Sequence, residues 1–359
     1  MTSKERVLLA IEHRLTRGRP PFTFSAMPEL YERLKNDLKL DDAGMREKFG
    51  GDIVWVGPFP KKQASPISYA DPTIEITPEG FYRDIWGVDF RLVEYGTGRY
   101  VDLVRNPLRD ACNLEDLENY HYWPSPYLWD YSTIKSQCEA NSNYATIGHS
   151  RGFFEISWFL RGMDNFLSDL LLNPSFACAV MDRVLDYLLQ RMERVLFSAD
   201  GLITMFEIND DVGGQNSLLM NPELWRKYIK PRLRKQVEVC KKYGVKVQYH
   251  SCGSVRAIIP DLIEIGIDVL NPVQPKAMGM DPFELNREFG KHITLHGGVD
   301  EQELLPRGKP EEVRDYVKRL IEEVGKDGGL IVAPCHTLQP DTPTENVLAL
   351  YEPVWELEN

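Results

Sequence analysis

The chain has 359 residues, 43% of them hydrophobic and 27% charged, with a net charge of −12 from 54 acidic and 42 basic side chains. That much apolar material fills one large core or two ordinary ones, and an acidic excess without a concentrated basic run argues against a nucleic-acid partner. Charges at positions 4 to 6 and from Glu12 onward interrupt the N-terminal segment, so no secretory or membrane-spanning stretch is expected and the protein reads as cytoplasmic, its six scattered cysteines unbridged.

Along the chain, eight short apolar runs are bounded by turn residues or polar clusters, each too short for a helix. They are PFTFS (21–25), DIVWVG (52–57), YATIGH (144–149), LITMFEI (202–208), VKVQYH (245–250), IDVLNPV (267–273), HITLHGG (292–298) and LIVAPC (330–335). Helical periodicity separates most of them. Val313, Tyr316, Val317, Leu320, Ile321 and Val324 share one face of a helix whose other face is charged. Asn173-Pro174 and Asn221-Pro222 each read as a helix N-cap followed by proline at the first helical position. Apolar strands alternating with amphipathic helices predict an α/β fold with a parallel sheet, and eight strands predict its closure into a (β/α)8 TIM barrel. No glycine-rich phosphate turn follows the first strand, which disfavours the doubly wound open sheet.

Residues 72–104 break the alternation. They alternate polar and apolar with turn signals at Pro78-Glu79-Gly80 and Tyr95-Gly96-Thr97-Gly98, so they are expected as β-hairpins inserted after the second strand of a single domain spanning 1–359.

In such a barrel the chemistry sits at the carboxyl ends of the strands. Residues closing the runs are therefore the candidates: His149, Glu207, Asp210, Asp211, His250 with Cys252, Asn271, Gln274, His296, and Cys335 with His336. Four of the seven histidines fall in this set. His250, Cys252 and Cys335 combine imidazole and thiolate from separate strands, a donor set that suits zinc with one coordination position left open. His336 or Glu207 can complete or replace a ligand. The opposite reading is also open: a cysteine after a buried strand is often a small core hydrophobe, and Asp210 and Asp211 can simply cap a turn. Trp55, Phe59, Phe153 and Phe206 are candidates to line an apolar slot near the mouth.

From about residue 144 onward, the stretches FEINDDVGGQNSLLMNPELWRKYIKPRL, YHSCGSVRAIIPDLIEIGIDVLNPVQ, TLHGGVDEQELLPRGKPEEV and IVAPCHTLQPDTPTENVLALYE resemble the uroporphyrinogen decarboxylase superfamily, in particular its zinc-dependent, corrinoid-linked methyltransferase branch. The decarboxylases carry an arginine-rich loop, M-R-Q-A-G-R, after the first strand. Here that place reads FTFSAMPELYERL, without the arginine pair. The resemblance implies His250, Cys252 and Cys335 as zinc ligands, with His336 the rival for the third because the loop before the Pro-x-Thr-Pro at 340–343 is one residue longer. It further implies methyl transfer between a small substrate (a methyl ether, thioether or thiol) and a corrinoid, that is cobalamin-type, cofactor on a partner protein. Glu207, Asp210 and His336 then have catalytic roles, and His149, His296, Asn271 and Gln274 orient substrate. The alternative is a metal-free carboxy-lyase using Asp210 and His336.

Overall fold

A computed structural model describes residues 1–14, 18–67, 71–95 and 98–357. Its centre is a curled, all-parallel sheet of seven strands: β1 (Ile53–Trp55), β2 (Ala145–Ser150), β3 (Met205–Asn209), β4 (Lys246–His250), β5 (Val269–Val273), β6 (Thr294–Val299) and β7 (Leu330–Pro334), hydrogen-bonded in that order. The first predicted run, 21–25, forms no extended strand. It makes one parallel bridge, Phe22 to Val332 in β7. Around it, Thr23 N–H donates to the Val332 carbonyl (3.0 Å), Val332 N–H to Pro21 (2.9 Å) and Asp52 N–H to Phe22 (2.9 Å). Pro20 and Pro21 have no N–H to offer a ladder, which accounts for its shortness.

Side chains alternate across each strand, and the alternation sorts the molecule. Ala145, Ile147, Met205, Val269 and Ile331 point inward and meet Val7 and Ile11 of the helix Ser3–Ile11, which plugs the amino-terminal end. Their neighbours Phe206, Val247, Leu270 and Val332 point outward into a second, larger cluster with the surrounding helices. The helix Pro310–Glu323 buries Val313, Val317 and Leu320 there, each worth about 1.5–3 kcal/mol of apolar burial. Asn221 caps its helix, accepting from Glu223 N–H at 2.8 Å. Asn173 occupies the N-cap position before Pro174–Ser198 but makes no side-chain cap bond.

Between β1 and β2 lies a four-stranded antiparallel sheet, Thr73–Ile76, Tyr82–Asp84, Asp89–Tyr95 and Gly98–Arg105. Gly80 turns the first hairpin with φ +84°, while the centre of the other expected turn, 96–97, lies outside the described residues. Trp86, fully buried, ties this sheet to the helix Pro174–Ser198 through an edge contact with Tyr187 (5.0 Å). No helix among the described residues is long and apolar enough to cross a membrane.

Candidate functional site

The inward alternation that packs the plug also builds the carboxyl-end face. One layer above Met205 stands Glu207. Gln248 and His250 follow Lys246 in β4, and Asn271 follows Val269 in β5, in register with His250. With His296, His336, Thr23 and Trp55 they line a cavity of about 240 Å³.

Its floor is a chain of hydrogen bonds. Gln248 Nε2 donates to Glu207 Oε2, and Gln248 Oε1 accepts from His296 Nδ1 at 2.9 Å. His296 Nε2 is therefore left as acceptor for the Thr23 hydroxyl, also at 2.9 Å. Burial, then the nearby His250, lowers the His296 pKa to about 3, so this ring is neutral. Burial likewise raises Glu207 above the usual carboxylate range, against the opposing pull of His250 and the Gln248 hydrogen bond.

The rim differs. Asp211, His250 and Cys252 each offer one ligand atom, all within 4.8 Å of one another. His250 Nε2 lies 3.8 Å from Cys252 Sγ and 3.9 Å from Asp211 Oδ1. Asn271 Oδ1 sits 2.7 Å from His250 Nδ1. An amide oxygen only accepts, so Nδ1 carries the proton and Nε2 presents its lone pair to the other two. Two backbone contacts hold Cys252 there. Its N–H donates to Asp211 Oδ1 at 2.7 Å. The next residue, Gly253, has φ +81°, and a Cβ on it would meet the backbone of Gly213 and Gly214 at 2.6–2.7 Å. Imidazole nitrogen, thiol sulfur and carboxylate oxygen form a donor set that fits zinc.

Cys335 is not a member of this trio. It is buried just after β7, where its N–H donates to the Val299 carbonyl (2.8 Å). Burial and the charge of Glu301 push its thiol up to about 12, and burial, Asp211 and Glu301 raise Cys252 as well. His336 is exposed at the cavity mouth. Asp210 faces away from the cavity. Its two carboxylate oxygens accept from Phe154 N–H (2.9 Å) and Glu155 N–H (2.8 Å) at the start of the helix Phe153–Arg161. Gln274 uses its side-chain oxygen on Gly253 N–H. His149 lies in a neighbouring hollow with Trp55, Phe59 and Arg191, and burial, Arg191 and Arg151 lower its pKa to about 3. Of the four aromatics expected at the mouth, Phe153 and Phe206 are fully buried in the outer core instead, because strand and helix periodicity turn them outward.

Sequence reasoning passed over Gln248, Thr23 and Glu301, and offered Asp211 both as a strand-end candidate and as a turn cap. Two-residue spacing was the available signal for Gln248, which shares a strand face with His250.

Comparison with known proteins agrees with this architecture. The chain is 27% identical over 184 residues to a uroporphyrinogen decarboxylase of Thermus thermophilus, covering 50% of this chain and 49% of that protein. Over 133 residues it is 30% identical to a methylcobamide:CoM methyltransferase of Methanosarcina barkeri, covering 37% and 36%. The matched part thus spans about half the length of the first relative and about a third of the second. A solved methyltransferase from Methanosarcina mazei superposes over the whole of both chains with a TM-score of 0.67 at 17% identity, a likeness of fold. The family model described as uroporphyrinogen decarboxylase (URO-D) matches residues 85–357, and the chain belongs to that family.

Proposed function

We propose that this protein is a zinc-dependent methyltransferase that moves a methyl group between a small substrate and a corrinoid carried by a separate protein. The observation that carries the reading is the rim cluster: three ligand atoms within 4.8 Å, one of them an imidazole nitrogen whose lone pair Asn271 frees. His250, Cys252 and Asp211 would hold the ion, and Cys335 is the further donor implied by the family resemblance. An ion held there would supply a Lewis acid for the oxygen or sulfur to which the methyl is attached.

The chain's own groups do the rest. Asn271 orients His250. Glu207, its pKa raised by burial and its carboxyl bonded by the Gln248 amide, is placed to exchange a proton with the departing oxygen or sulfur. Phe24 and Trp55 wall the cavity and exclude water from one side. His296 and Thr23 hold Gln248 in the one orientation that points its N–H at Glu207. His149 acts from the next hollow and Gln274 through the Gly253 turn. In this reading the segment 21–25 is the eighth stave of a closed (β/α)8 barrel. Residues 1–359 form one domain, and the sheet at 73–105 is an insertion in it.

The metal-free carboxy-lyase is the weaker reading, because both oxygens of Asp210 are spent on a helix N-terminus. Metal analysis of protein purified without added zinc, together with the change in corrinoid absorbance on methyl transfer, tests the proposal. About one equivalent of zinc, lost in Cys252→Ala together with turnover, supports it; less than about a tenth of an equivalent with turnover intact ends it.

A further inference from the structure

The charge of the cavity says what class of compound it takes. Among the described residues, no lysine or arginine lines it. Its polar wall is made of amides, hydroxyls and imidazoles, with Glu207 the one carboxyl. His296 is bonded to Gln248 and Thr23 and touches no carboxylate that would favour a charged ring. Arg191 opens on the neighbouring hollow, where it donates to the His149 carbonyl at 3.0 Å and lies 4.5 Å over the Trp129 ring. On the β2 side, Arg151 is engaged by Asp71 (3.0 Å) and Glu155 (2.7 Å).

An anion entering here would leave water and find no lysine or arginine to pair with, the costly case for a buried charge. A divalent ion at the rim does not change this, because the Cys252 thiolate and the Asp211 carboxylate cancel its two charges. The rest of the wall is apolar, and within it the Phe24 and Trp55 rings attract apolar and cationic groups.

We propose that the cavity selects an uncharged or cationic methylated compound and turns away carboxylates, sulfonates and phosphates. This rests on the methyltransferase reading for the word methylated; the charge selection stands on the cavity alone, so the two fail separately. Matched alkylating reagents measure it on the full-length, chelator-treated chain at low salt. Cys252, at the rim, is compared by mass spectrometry with Cys112, which is exposed elsewhere and serves as the internal reference. Iodoacetate should fall about ten-fold further behind iodoacetamide at Cys252 than at Cys112, and the gap should shrink in high salt. Thr337→Lys, which puts a cation on the cavity wall, should shrink it too. Equal reagent ratios at the two cysteines would overturn the proposal. Zinc content, measured on the untreated protein, reports on the methyltransferase reading independently.

Discussion

The rim and the floor of the cavity share β3 and β4 and behave as opposites. On the floor, Glu207, Gln248, His296 and Thr23 are joined by hydrogen bonds in which each donor has an acceptor. On the rim, Asp211, His250 and Cys252 approach at 3.8–3.9 Å, beyond hydrogen-bond length for nitrogen and oxygen, with one imidazole lone pair directed among them. A satisfied network rigidifies what it holds, whereas three ligand atoms gathered within 4.8 Å of one another leave room for an ion between them. In the proposed function, orientation of Glu207 belongs to the first and capture of a cation to the second.

Breaking the rim should cost the most function and little stability. In His250→Ala, zinc content and methyl transfer are both expected to vanish, a loss of more than about 100-fold in rate, while the denaturation midpoint stays near that of the parent protein. Asn271→Ala sharpens the comparison by leaving every ligand in place. With Nδ1 no longer held, competition with a chelator should show zinc binding weakened by about 10- to 100-fold.

Breaking the floor should reverse the pattern. Gln248→Leu leaves the Glu207 carboxyl and His296 Nδ1 buried without their partner, and urea denaturation should report about 1–3 kcal/mol of lost stability with zinc content unchanged. The smallest effect is expected behind the rim, at Glu301, one of whose carboxylate oxygens is buried without a hydrogen-bond partner. Burial, then Asp300 and Asp341, raise its pKa from the usual 4.5 to about 7. The folded chain thus holds this proton more tightly than the unfolded chain does. Its stabilisation is complete below about pH 4.5 and is lost as pH rises through 7. Glu301→Gln should flatten the thermal stability of the metal-free protein across that window.

Much of the frame is legible in local pattern. The runs at 245–250, 267–273 and 330–335 lie within a residue or two of β4, β5 and β7, because a parallel strand covered on both faces must be apolar nearly throughout. His250 and Cys252 were marked by their place at a strand end. The run at 21–25 was legible as a strand and became a single bridge, since its prolines cannot donate to a ladder.

Sequence by itself determined the repeating strands and helices, the antiparallel segment as a break in their rhythm, and the end of the sheet where ionisable residues collect. All of these follow from periodicity and propensity, which are local. Which neighbour each polar group met was decided only in three dimensions: Asp210 went to a helix N-terminus, adjacent Asp211 to the thiol and imidazole, and Gln248 to Glu207 and His296. Those pairings join residues up to 56 positions apart in the chain, from Phe154 to Asp210. The stagger of one strand against the next sets them, and no single strand's pattern encodes it.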